Sequence, residues 1–188
     1  AGAYFSGGVK PVRIWLSEEH SRAGRGGTGK AKTGGNYASS LLPQALASAK
    51  GCDQVVFLNE KNDVEELGGM NVVFVFKDGR VVTPESDSIL DGITRDSLLQ
   101  LAEDRGYTVE RRAISIDEWR EGVASGDITE VFACGTAAVV TPIGALVGEG
   151  FDEPQPIGDL ALSLREELTD IQYGRRDDRH GWLLRLDA

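Results

Sequence analysis

At 188 residues, with 40% apolar and 27% charged residues and a net charge of −10, the chain can bury one substantial core and is a poor partner for nucleic acid or an anionic membrane. Its two cysteines are too few for a disulfide framework and fit a reducing cytoplasm. No apolar run reaches the ~18 residues of a membrane span, no signal peptide is visible, and His20 and His180 are isolated without ligand spacing, so no metal site is expected.

The opening, Ala1-Gly2-Ala3-Tyr4-Phe5-Ser6-Gly7-Gly8, lacks an initiator methionine and reads as a connector. Residues 9–16 alternate apolar positions at Val12, Ile14 and Leu16, the pattern of a half-buried strand. A glycine-rich stretch with two lysines follows, and then residues 37–50, rich in alanine and leucine and stopped by Gly51, predict a helix. Residues 54–58 are a short apolar strand. Residues 71–77, the turn Asp78-Gly79 and residues 80–83 form the strongest hairpin signal in the chain. Leu90-Asp91-Gly92-Ile93-Thr94 leads into a helix carrying Leu98, Leu101 and Ala102 on one face and ending at Gly106. A strand through residues 107–109 precedes the capping box Ser115-x-x-Glu118, which opens a helix ending near Gly126. Residues 130–134 form a buried strand running into Gly135-Thr136-Ala137-Ala138, and residues 139–147 supply one or two more strands. Leu160, Leu164, Leu168 and Ile171 mark the seam of a final helix over 159–173. The charged tail has Trp182 and Leu183-Leu184 as expected anchors. The fold class is mixed α/β with several hairpins.

The lysine stretch, Arg22 to Tyr37, holds six glycines with Lys30 and Lys32. Glycine lets backbone approach a ligand closely, and a lysine there suits phosphate binding or amine chemistry. A flexible loop with solvated lysines is the plain alternative. Gly24-x-x-x-x-Gly29-Lys30 follows the P-loop pattern, but Ala31 stands where a magnesium-binding hydroxyl is needed, which disfavours a nucleotide loop.

Lys32-Thr33-Gly34-Gly35-Asn36-Tyr37-Ala38 resembles the Schiff-base lysine segment of branched-chain aminotransferases, pyridoxal-phosphate enzymes of fold type IV. Glu66, Gly68, Asn71 and Val72, followed by Thr83, Leu90, Gly92, Ile93 and Arg95, fall at the spacings of the same family's signature, with Val73 in place of its usual aromatic. In isolation, the Glu65-Glu66 pair reads as a solvated turn. The resemblance implies a large, C-terminal domain over residues 9–188, a mixed sheet or pseudo-barrel with surrounding helices. Residues 1–8 would be the remnant of an interdomain connector, and the family's small N-terminal domain, with a further phosphate-binding arginine, is expected to be absent from this chain.

The roles implied are these. Lys32 is the catalytic residue and bonds the cofactor, pyridoxal 5′-phosphate. Tyr37 hydrogen-bonds its phenolic oxygen, and Glu66 its ring nitrogen. Ile93, Thr94 and Thr136 contact the phosphate, with Arg22 near it unless Arg22 is simply a surface residue, and Thr94 unless it is only a helix N-cap. Gly135, Thr136 and Ala137 bind the substrate carboxylate. Lone Cys134 lacks the second cysteine of the redox pair found in some relatives. The expected reaction is transamination of leucine, isoleucine and valine with 2-oxoglutarate in a cytoplasmic homodimer, this chain being an incomplete enzyme. A D-amino-acid aminotransferase or aminodeoxychorismate lyase of the same fold, and a non-catalytic phosphate-binding module, remain as alternatives.

Overall fold

The computed structural model describes residues 9–184 and 186, so the connector expected over 1–8 lies outside it. The chain begins with β1 (Val12–Ser17), then two short helices, α1 (Gly34–Ser39) and α2 (Leu41–Ala49), where one helix was expected. Pro43 explains the break at Ser40. It has no N–H to close a turn onto the Ser39 carbonyl, and it is tolerated because it falls in the first turn of α2.

Next come β2 (Gln54–Leu58), β3 (Val64–Leu67), β4 (Asn71–Phe76) and β5 (Arg80–Thr83). Strand β3, Val-Glu-Glu-Leu, is buried throughout, which corrects the solvated turn that Glu65-Glu66 suggests in isolation. Helix α3 (Ile93–Asp104) leads to β6 (Thr108–Arg111), which lies parallel to β5 and begins one residue later than expected. The Ser115 side chain caps α4 (Ile116–Ser125) by accepting from the Glu118 amide, and Gly126 ends that helix in the left-handed region. Strands β7 (Ile128–Gly135) and β8 (Val139–Gly148) pair antiparallel; β8 is a single strand, and an unforeseen short strand, β9 (Phe151–Pro154), folds back on it. Helix α5 (Leu160–Gln172) closes the described fold.

Among the described residues, all nine strands join one mixed sheet in the order β3-β2-β1-β8-β7-β4-β5-β6, with β9 on β8. The sheet curls. Its concave face gathers residues from both ends of the order, Val56 and Leu67 with Phe74 and Val82, into one apolar cluster. Trp119 of α4 packs into that cluster, edge-on to Phe74 at 5.0 Å, with its indole N–H on Gln155 Oε1 at 2.7 Å. On the convex face α3 and α5 cover Val73, Val75 and Val81, and α2 covers Val55, Phe57, Ala145 and Val147. Strand β4 is buried on both faces, which is why it reads as an unbroken apolar run.

The tail is held through Trp182, which packs against the convex cluster and stacks on His180. Arg179 pairs with Asp104 and Glu167, while Leu183 and Leu184 face solvent and are not anchors. No helix among the described residues is long and apolar enough to cross a membrane.

Candidate active site

The glycine-rich loop after β1 is fastened by Arg22, which is only 4% exposed. Its guanidinium reaches Glu66 Oε1 at 2.6 Å and donates to the carbonyls of Gly29, at 2.9 Å, and Ser88. The surface alternative for Arg22 is therefore excluded. Gly29 is obligatory, because a Cβ there would collide with backbone atoms of Ser88.

Asn36 folds the rest of the loop. Its Nδ2 donates to the carbonyls of Thr28 and Ala31, at 2.7 and 2.8 Å, and its Oδ1 accepts from Thr28 Oγ1. That turn presents Lys32 at the surface, where Nζ donates to the Tyr37 hydroxyl at 2.8 Å. Lys30 is instead in a solvent-exposed pair with Asp87. The two lysines are thus distinct: one in a surface ion pair, one against a phenol.

Glu66 projects from β3 into a buried polar knot. Besides Arg22, Oε1 accepts from the Leu90 amide at 3.0 Å, and Oε2 accepts from Asn71 Nδ2 at 3.2 Å. Burial pushes the Glu66 carboxyl up to about 7, against the opposing pull of Arg22, the Leu90 amide and Arg95. Asn71 Nδ2 also donates to the Leu90 carbonyl at 3.0 Å. A Cβ at Gly92 would collide with Asn71 Oδ1, so only glycine fits.

Gly92 is the N-cap of α3 and offers no capping side chain. Thr94 is therefore not the cap. Ile93 and Thr94 are the first two helical residues, where amides lack intrahelical acceptors and the helix dipole favours an anion. The Ile93 side chain is 83% exposed. Arg95, buried behind them, holds Asp91 at 3.1 Å and braces the segment that enters the helix. Thr83 Oγ1 donates to the Val72 carbonyl at 2.8 Å, locking the start of that segment to β4.

The turn between β7 and β8 lies at the same end of the sheet, since Cys134 pairs with Asn71 and Gly135 with Val139. Thr136 and Ala137 are exposed on it. Val139 has φ of 60°, a conformation rare for a β-branched residue. The Cys134 thiol is wholly buried and pushed up to about 12, which makes it inert.

Continuous contacts thus join Lys32 and Tyr37, through Asn36, Gly29 and Arg22, to Glu66, Asn71, Leu90 and Gly92. Gly135 is reached across the ladder from Asn71. Thr136 and Ala137 share that sheet end but make no hydrogen bond to the set among the described residues. Sequence reasoning gave no role to Asn71, Glu65 or Ser88, all buried here. Only the spacing of Asn71 from Glu66 pointed toward one of them. Chemically, the ensemble offers a primary amine on a phenol, a carboxyl titrating near neutrality and a helix terminus suited to phosphate.

Residues 5–146 match the model of the amino-transferase class IV family. The chain is 56% identical over 197 residues to a branched-chain-amino-acid aminotransferase of Mycolicibacterium smegmatis, covering 100% of this chain and 53% of that protein. It is 57% identical to one of Mycobacterium tuberculosis H37Rv (99% and 53%), and 54% identical to a probable one of Streptomyces coelicolor (97% and 52%). Among solved structures, the Thermobaculum terrenum branched-chain amino acid aminotransferase in its PLP form superposes with a TM-score of 0.78 at 30% identity, covering 95% of this chain and 56% of that one. The Escherichia coli branched-chain amino acid aminotransferase gives 0.82 at 30% identity, covering 98% and 59%. The chain spans about half the length of the curated relatives it matches.

Proposed function

Because the chain belongs to the amino-transferase class IV family, we propose that the protein it forms or is part of exchanges amino groups between leucine, isoleucine or valine and 2-oxoglutarate, with pyridoxal 5′-phosphate as cofactor. The observation that carries the chemistry is the Lys32 amine on the Tyr37 hydroxyl, in the same loop that Arg22 ties to the buried Glu66 carboxyl. The substrate class rests on the names of relatives at 54–57% identity.

The donor set fits that cofactor, which has an aldehyde, a phenolic oxygen, a ring nitrogen and a phosphate. Lys32 would hold the aldehyde, Tyr37 the phenolic oxygen, Glu66 the ring nitrogen, and the helix terminus at Ile93 and Thr94 the phosphate, with Thr136 beside it. When bound, the cofactor supplies a cationic ring that withdraws electrons from the substrate Cα. Glu66 would keep the ring nitrogen protonated, since a carboxylate alongside favours the cation. Arg22 acts through Glu66 by orienting its carboxyl. Tyr37 holds the Lys32 amine in place, and that amine would act as general base and then general acid, taking the proton from the substrate Cα and delivering it to the cofactor's former aldehyde carbon. The Gly135-Thr136-Ala137 turn offers backbone amides to the substrate carboxylate. Residues 9–188 act as the large, cofactor-binding lobe of a cytoplasmic homodimer.

The test is reduction of the cofactor-loaded protein with borohydride, followed by peptide mass spectrometry. The pyridoxyl label is expected on Lys32; a label on Lys30, or spread over surface lysines, overturns the assignment. Faster turnover of D-alanine than of L-leucine would move the protein to the D-amino-acid branch of the same fold.

A further inference from the structure

Strand β3 turns Glu66 toward Asn71 and Leu90 and its neighbour Glu65 toward Ser86 and Ser88. Glu65 is 3% exposed and lines a cavity of about 350 Å³ bounded by the loop after β1, the β2–β3 turn and the β5–α3 segment. Its Oε1 accepts hydrogen bonds from the hydroxyls of Ser86 and Ser88. Its Oε2 is buried and has no partner. A buried carboxylate oxygen left unpaired is costly, and native structures rarely leave one so. Here the unpaired oxygen belongs to a residue forming the wall of a cavity. We propose that this cavity binds a small aliphatic amine in its ammonium form, the charged head resting on Glu65 and the two serines.

The surroundings favour that class of ligand. An ammonium group has three donors. Glu65 Oε2 takes one; the serine hydroxyls share their two protons between Glu65 and each other, and Ser86 Oγ accepts from the Ser88 amide, which still leaves a lone pair on each for the others. Around the rim, Glu60, Asp63 and Glu85, with Asp87 already paired to Lys30, outnumber Arg25 and Lys61, and with the buried Glu65 the cavity favours a cation over an anion. Leu58, Ala23 and Ala113 supply apolar wall for a short hydrocarbon chain. The volume is in the range of small-molecule sites. A metal ion held by protein carboxylates fits less well, because no three His, Cys, Asp or Glu side chains converge as a metal shell among the described residues. Lys32 does not line the site. Occupancy would nonetheless be felt across the strand, since the Glu65 charge is one of the influences raising Glu66 and a bound cation offsets it.

The experiment is thermal unfolding of the protein titrated with n-butylammonium chloride, with 1-butanol and with sodium chloride at matched ionic strength. The expected result is a saturable rise in Tm with n-butylammonium alone, abolished in Glu65→Gln. If Glu65→Gln does not fold, Ala113→Leu, at an exposed position, takes its place; it leaves the carboxylate intact, fills the cavity and should abolish the shift. No saturable rise in the unaltered protein, an equal rise with 1-butanol or sodium chloride, or a rise unchanged in these variants overturns the proposal and leaves a cavity filled by water.

Discussion

The Glu66 carboxyl sits at about 7 because burial outweighs the help of Arg22 and the Leu90 amide. The folded chain therefore binds this proton more tightly than the unfolded chain does, and the sign of its linkage to stability follows. The contribution is fully present below the ordinary carboxylate value and is lost as pH rises through about 7. The span from an ordinary 4.5 to about 7 corresponds to about 3 kcal/mol. In Glu66→Gln that pH dependence should vanish, so its denaturant midpoint should fall less than that of the unaltered protein between pH 5 and pH 8. Parallel profiles would mean that Glu66 does not titrate there. The same variant in the active protein should lose on the order of 10² or more in turnover, because a weakened cationic ring costs a few kcal/mol of transition-state stabilisation. Asn71→Ala removes the donor on Glu66 Oε2 and the tie to Leu90. It should cost about 1–3 kcal/mol in urea unfolding and move the Glu66 carboxyl ¹³C titration upward. An unmoved titration would deny Asn71 its hold on that carboxyl.

At the scale of elements, legibility followed how local the cause was. The hairpin of β4 and β5, the capped start of α4 and the seam of α5 were readable because turn chemistry, a Ser-x-x-Glu box and a helical period lie within a few residues. Ser115→Ala should accordingly cost about 1 kcal/mol in denaturant unfolding. Strand β3 was not readable as buried, since neither of its faces is apolar in sequence. Its glutamates are buried by Arg22, Ser86 and Ser88, which come from distant loops. The split between α1 and α2 hid behind a good helical composition, and β9 behind its brevity. The Lys32 segment and the Glu66 spacing were legible as a resemblance, but the burial of Arg22 against Glu66 was not, because no spacing rule pairs them. Gly92 lies between these cases: glycine was expected from the pattern, and the reason is the Asn71 side chain against it. Gly92→Ala should force that contact apart and cost about 1–3 kcal/mol in denaturant unfolding, whereas Gly34→Ala meets open space and should cost nothing.

At the scale of the molecule, the lysine, the helix terminus and the β7–β8 turn all face outward, with Lys32 and Thr136 exposed and Ile93 83% exposed. An open site leaves a charged ligand competing with water, and the relatives are about twice as long as this chain. The 188 residues alone are therefore expected to bind pyridoxal phosphate more weakly than a relative of full length, by about 10-fold or more if one charge-assisted contact is lacking. A cofactor titration followed by visible absorbance measures it, and equal affinities would mean that these residues suffice. The position of β1 carries another consequence. This strand lies inside the sheet, between β2 and β8, and its Val12 faces Ile143. On a ribosome delivering about 5–20 residues per second, β1 emerges on the order of ten seconds before its second neighbour exists. Through that interval an apolar edge is bare, first on β1 and then on β4 as it waits for β7. Yield in a living cell should therefore depend on what shelters the nascent chain more than on the stability of the finished sheet.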